Sequence, residues 1–271
     1  MFTQNISNYS PFAVSWPRDL APSRRRNNHQ PGLVGKSMKI EIWSDVACPW
    51  CYIGKHRFET ALEAFPHKES VDVQWRSYQL DPTLPEHYDG TELSYLSERK
   101  GMDPAQVAGM FAHVTEQAAG EGLNYKFENV VVANSFNAHQ LLHLAKAHDK
   151  GDAVKEALLS AHFEHGVDIG SRAALVTIGT DAGLSATDIN AALDTDKYAD
   201  DVREDFAEAR AIGVTGVPFF VIDRKYGISG AQPAEVFGQA LDQAWQEANP
   251  LTMVAANDSD AEVCGPDGCA I

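Results

Sequence analysis

"SDVACPWCYIGKHRFETAL", residues Ser44 to Leu62, sets Cys48 and Cys51 two residues apart at the seam between two periodicities. Ahead of the pair, "MKIEIWSDV" alternates Ile40, Ile42 and Ser44 with Lys39, Glu41, Trp43 and Asp45, the period of a strand. Behind it, Trp50, Ile53, Phe58, Leu62 and Phe65 recur at helical spacings until Pro66 stops them. "VDVQWRSYQL", residues 71–80, alternates once more. The chain therefore opens strand, helix, strand, with the cysteines at the first strand-to-helix junction.

Working outward, helical patterns dominate from about Thr91 to Ile212, in "DPAQVAGMFAHVTEQAA", "SFNAHQLLHLAKAHD", "AVKEALLSAHFEHG", "SRAALVTIGTDAGL" and "DKYADDVREDFAEARAIG". Strand signals return at Val217 to Ile222 and Tyr226 to Ile228, and a last helix runs from Pro233 to about Ala248. The expected fold class is α/β. Residues 38–90 and 213–249 form one discontinuous domain, and 91–212 an all-helical insertion. Residues 1–37, rich in Asn, Ser, Pro and Arg without period, read as a disordered and dispensable arm. Residues 250–271 read as a flexible tail carrying a second pair, Cys264 and Cys269.

At 271 residues and 44% hydrophobic composition, the chain buries a full core without covalent staples. A net charge of −16 repels phosphate backbones and anionic lipid, so neither nucleic acid nor a membrane surface is an expected partner. No run approaches the roughly 18–20 apolar residues of a membrane span, and none has the apolar core of a signal peptide. A cytoplasmic location is the expectation. Four cysteines in two close pairs suggest redox or metal chemistry more than long-range stapling.

Three chemistries compete for Cys48 and Cys51. A thiolate at a helix N-terminus is stabilised by unpaired N–H groups and the helix dipole, which suits Cys48 for attack and Cys51, one turn further in, for resolution. The four cysteines together would offer a four-thiolate zinc site, although structural zinc pairs usually sit on knuckles or loops. A disulfide kept only for stability would close a loop too short to constrain the chain. Pro49 presets the first helical turn, while Trp50 brings no imidazolium, so a reduction potential in the rough span of −180 to −270 mV is expected. In "GVTGVPFFVID", Pro218 opens a strand, where a cis bond after Val217 or an edge position accommodates it. A cis bond would turn the Val217 backbone toward the thiols and offer it to a peptide strand.

"CPWC" after a strand, a helical insertion containing "NSFNAHQLLHLA" and "HFEHGVDIG", then "GVTGVPFF" and "YGISGAQP" before a final helix, resemble the DsbA family of thioredoxin-fold oxidoreductases, most closely its FrnE-like subgroup. The resemblance covers about residues 38–248. It implies a thioredoxin-like fold with an inserted helical domain and a thiol–disulfide oxidoreductase of reductase or isomerase type without cofactor. It further implies Cys48 as nucleophile, Cys51 as resolving thiol, and Pro49, Trp50, Val217 and Pro218 in the substrate groove. Cys264 and Cys269 are similar to an accessory redox pair of some FrnE-like members, and the tail from Ala248 reaches about 20–24 Å as a coil. The implied partners are thiol or disulfide proteins and peptides, with glutathione or thioredoxin for recycling.

Two departures bear on mechanism. Thioredoxins place a buried acid six residues before the first cysteine, where this chain has Ile42, so proton handling falls to Glu41, Asp45, water or another group. Members exported from the cell also carry a secretory signal, which this sequence lacks, and a reductase, isomerase or redox-repair role fits that better than bulk oxidation. The alternative functional reading is a glutathione-dependent transferase or isomerase of the kappa or hydroxychromene-carboxylate isomerase type, which share the architecture but use a serine at the site. A chaperone-like binding protein with a structural zinc site is the second alternative. His139 and His143, four apart, read as helix-surface or packing residues rather than metal ligands, and His56 as too distant to act on Cys48. The aromatics of "GLNYKF" read as loop packing.

Overall fold

A computed structural model describes residues 37–85 and 87–250. The readings for 1–36 and 251–271, including the Cys264/Cys269 pair, lie outside the described residues. Strand β1 (Met38–Ser44), helix α1 (Pro49–Ala64) and strand β2 (Val71–Ser77) form a β-α-β unit whose strands run parallel, pairing Ile40 with Val73 and Ile42 with Trp75. Strands β5 (Phe219–Ile222) and β6 (Tyr226–Ser229) complete a four-stranded sheet in the order β2-β1-β5-β6, with β5 antiparallel to β1. Helix α9 (Ala234–Ala248) lies beside α1 on one face.

That face is sealed by side chains matching the period-2 and helical stripes of the sequence. Met38, Ile40, Ile42, Phe220 and Ile222 from the sheet meet Phe58, Ala61 and Phe65 of α1 and Phe237, Leu241 and Ala244 of α9. Phe58, Phe220 and Phe237 close on one another with ring centroids 4.5–5.8 Å apart. Burial of each such ring is worth about 1.5–3 kcal/mol, which makes this aromatic triad the anchor of the layer.

Between β2 and β5 run β3 (His87–Thr91), α2 (Glu92–Lys100), α3 (Pro104–Gly120), β4 (Val131–Ala133), α4 (Phe136–Lys146), α5 (Gly151–Phe163), α6 (Arg172–Asp181), α7 (Ala186–Asp194) and α8 (Ala199–Ala211). The expectation of an all-helical insertion gains one addition, since β3 and β4 pair as a small antiparallel sheet. Three residues of β4 are too few to show a period against the helices around them. Helices α4 to α7 bury a second core of Leu141, Leu144, Leu158, Ile169, Leu175 and Ile189.

Alternation alone puts Glu41 and Trp43 on a solvent face, yet both are buried. Helix α8 folds back over that face. The Asp205 backbone carbonyl accepts from Trp43 Nε1 at 3.0 Å, and the Asp205 carboxylate takes Arg76 Nη1 at 2.9 Å and the Ser77 N–H at 2.8 Å. Arg76 and Arg224 flank the Trp43 ring, and both bond the Glu41 carboxylate. Burial alone would raise the Glu41 carboxyl, but the hydrogen bonds and charges of Arg224 and Arg76 outweigh it and hold it at about 2.

A carboxyl depressed from 4.5 in the unfolded chain to about 2 in the folded one contributes stability that is fully present above pH 4.5 and lost as pH falls toward 2. Glu41→Gln is therefore expected to lower the urea midpoint at pH 7 and to flatten its decline between pH 4.5 and about 2. Unchanged midpoints at both ends would show that the Arg–Glu–Arg cluster carries no stability.

Candidate active site

Parallel pairing of β1 with β2 through α1 brings the α1 N-terminus to the carboxyl end of the central strand, where open α/β sheets present their reactive groups. Cys48 is the N-cap of α1 in extended conformation, and Pro49 occupies the first helical position with its φ preset and no N–H to orphan. The Cys51 N–H returns to the Cys48 carbonyl at 3.0 Å, closing the turn. Cys48 is 4% exposed and Cys51 0%, so the first thiol lies nearer the surface and the second behind it.

The distant segment joins them here. The Val217–Pro218 peptide is cis, and the Cys48 thiol donates to the Val217 carbonyl at 3.5 Å. Pro218 is buried, and the Gly230 N–H donates to its carbonyl at 2.8 Å, pinning it to the start of the β5–β6 hairpin. A Cβ on Gly54 would stand 2.8 Å from Pro218 Cγ. Only glycine at that position of α1 lets the proline ring approach. Thus Cys48, Cys51, Pro49, Trp50, Val217 and Pro218 all gather at one place, 169 residues apart along the chain at the Cys48–Val217 contact. Trp50 is half-buried and leans toward α3, its ring 6.0 Å from that of His113.

Beneath the thiols lies a polar layer supplied mostly by the insertion. The Asp45 carboxylate is buried and accepts from the Leu80 N–H at 2.8 Å, the Ala47 N–H at 3.2 Å and His139 Nε2 at 3.2 Å. Burial opposes its charge, yet His139, the Leu80 N–H and Ser135 hold it below the ordinary carboxylate value. Burial also lowers His139, leaving a neutral imidazole that donates Nε2–H to an ionised Asp45. His139 is buried and His143 partly so, with His143 Nε2 3.1 Å from Asp205, so of the two readings, helix surface or packing, it is packing that describes them. Tyr125, from the loop after α3, donates to the Pro49 carbonyl at 2.6 Å and fixes the turn between the cysteines. The lysine of "AVKEALLSAHF", Lys155, is 1% exposed, and burial pulls it below the ordinary lysine value.

The two thiols titrate as a pair. Burial resists charge on Cys51, but the Cys48 thiol, the Lys155 ammonium and the Ser44 hydroxyl overcome it and hold the group below the ordinary thiol value. Cys48 is pushed well above that value by its bond to Cys51, by burial and by the charge on Cys51. The first proton therefore leaves from Cys51 and the second stays on Cys48. Of the two acids flagged by sequence, Asp45 lies at the thiols and Glu41 belongs to the arginine cluster.

Among the described residues His56, Glu59 and Glu156 bring ligand atoms within 4.8 Å of one another. Lys55 Nζ lies 2.5 Å from Glu59 and 2.8 Å from Glu156, so that cluster already holds a cation of its own. No helix among the described residues is long and apolar enough to cross a membrane.

Sequence reasoning missed Tyr125, His139, Lys155 and Gly54. Lys155 left a trace, standing in one helical stripe with Leu158, Leu159 and His162.

The crystal structure of a probable DsbA oxidoreductase, SCO1869 of Streptomyces coelicolor, is 46% identical, with a TM-score of 0.75 over 86% of this chain and 99% of that one. The uncharacterized protein YwbO of Bacillus subtilis is 27% identical over 207 residues, 76% of this chain and 96% of its own. The cytosolic disulfide reductase DsbM of Pseudomonas aeruginosa, solved with GSH, shares the fold at 20% identity and a TM-score of 0.52, over 77% of this chain and 96% of that one. Residues 39–242 match the DSBA-like thioredoxin domain, and the chain belongs to that family.

Proposed function

We propose that this chain is a thiol–disulfide exchange enzyme of reductase or isomerase type, with Cys48 as nucleophile and Cys51 as resolving thiol. The observation that carries the reading is the pairing of a surface-side thiol at the α1 N-terminus with the Val217 carbonyl, while a second thiol waits one turn deeper.

In the reducing direction the Cys48 thiolate attacks one sulfur of a substrate disulfide. The substrate S–S bond breaks, a Cys48–substrate disulfide forms, and the first substrate sulfur leaves as a thiolate that takes a proton from solvent. Attack from Cys48 requires the proton that it keeps at rest to move to Cys51 first. Cys51 then loses that proton and attacks Cys48 Sγ, the second substrate thiol leaves, and the enzyme holds the disulfide. Two electrons pass to substrate, and two thiols of glutathione or one thioredoxin-like dithiol return them. The groove at Val217 suits an extended peptide, whose main chain pairs with that backbone as an added strand. Trp50 supplies no imidazolium between the cysteines, which favours reduction or isomerisation over strong oxidation.

Cys48→Ser is expected to abolish reduction of a disulfide-linked peptide, and Cys51→Ser to accumulate a covalent Cys48–peptide adduct seen by intact mass. Glutathione conjugation that survives Cys51→Ser, with no adduct, would instead favour the transferase reading. Gly54→Ala sets two effects against each other. Helix propensity alone would stabilise by about 1 kcal/mol, whereas the 2.8 Å approach to a constrained proline ring costs about 1–3 kcal/mol. A lower melting temperature together with slower peptide reduction is expected, and a stabilised, fully active variant would contradict the close packing of Pro218 on α1.

A further inference from the structure

Trp50, Gly54 and Arg57 follow one another at helical spacing and so share one face of α1, which runs back from the thiols. The cis-Pro218 side of the groove rests on the middle of that face. Ala231 follows Gly230, whose N–H holds the Pro218 carbonyl, and brings its Cβ and Cα to 3.4 and 3.5 Å from where a Gly54 Cβ would stand. The other side of the groove is α3, where His113, Gln117 and Glu121 recur along the edge that faces α1. The His113 ring lies 6.0 Å from that of Trp50, between the cysteines. Further back, the Arg57 guanidinium engages both sides with its three nitrogens. Nε donates to Glu121 Oε1 at 2.6 Å and Nη2 to Gln117 Oε1 at 2.9 Å, while Nη1 donates to the Ala231 carbonyl at 2.8 Å. Its side chain is 15% exposed, so the fork is enclosed by the two segments it joins.

We propose that Arg57 is a positioning residue for extended peptide substrates: it fixes how far the α3 wall stands from the Pro218 wall, and so sets the width of the groove in front of Cys48. The proposal rests on the exchange reading of Cys48 and Cys51 and adds to it the class of substrate that the groove selects. The three partners of Arg57 include neither sulfur, so it acts through Ala231 and α3 and leaves the exchange of electrons and protons as it is. A planar fork that reaches two segments in fixed directions is not replaced by the single ammonium of a lysine. Beyond the contact with Trp50, the same edge of α3 continues to Met110, which is 45% exposed and of the adaptable apolar kind that accepts varied peptide side chains. A small disulfide without a main chain spans neither wall and is indifferent to their spacing. An arginine kept only for stability would change both kinds of substrate alike.

Arg57→Met and Arg57→Lys test this, with melting temperature recorded for each and glutathione as the electron donor. For reduction of a disulfide-linked peptide, kcat/KM is expected to fall about tenfold or more in both variants, mainly through a raised KM. Reduction of hydroxyethyl disulfide, and the glutathione ratio at which Cys48 and Cys51 are half oxidised, are expected to stay within about twofold of wild type. Glu121 supplies a second measurement should the arginine variants fail to fold. Glu121→Gln keeps an acceptor for Nε and is expected to preserve the ratio of peptide to small-disulfide kcat/KM, whereas Glu121→Ala lowers it. Equal losses on both substrates, a peptide KM within about twofold of wild type in either arginine variant, or no difference between the two Glu121 variants overturns the proposal. Wild-type protein that reduces neither substrate overturns the exchange reading itself, and the proposal with it.

Discussion

The buried carboxylate of Asp45 is the constraint on which the site depends. A charge removed from water must be paired and hydrogen-bonded or it neutralises. Its partners come from three places: the Ala47 N–H of its own junction, the Leu80 N–H beyond β2, and His139 of α4 in the insertion. One side chain thereby sets the exit of β1, the exit of β2 and the seat of the insertion on the sheet. The geometry of Cys48 follows, because its N–H approaches the Asp45 carbonyl and its position caps α1.

The insertion is more than a lid beside the sheet. It supplies His139 and Tyr125 to the layer around the thiols, and α8 shields the far face of β1 through Asp205. Such a buried polar layer costs stability relative to an apolar core of the same volume. The aromatic triad beneath α1 and α9, and the leucine-rich core of α4 to α7, offset that cost on either side. These two apolar cores lie on either side of the polar layer that carries the thiols.

Much of this was legible in the sequence, and the reasons divide cleanly. The β-α-β opening, the last two strands and α9 announce themselves through local periodicity, and Cys48, Cys51 and Pro218 through residue type at a junction. Burial on both faces of β1 was not legible, because Glu41 and Trp43 look polar-side by alternation and are covered only when α8 returns, 162 residues along the chain at the Trp43–Asp205 bond. His139 and Asp45 are 94 residues apart, and no local pattern connects them. Lys155 left only a trace, a charge within the apolar stripe of α5 that marks it as buried.

The measurement that bears most directly on the central claim is thiol trapping with intact-mass readout across a graded series of glutathione buffers, with zinc assayed on the same wild-type sample. Cys48 and Cys51 are expected to pass together between dithiol and disulfide, in a protein that carries no stoichiometric zinc. Thiols locked in one state at every ratio, with one zinc per chain, would contradict it and make the site structural.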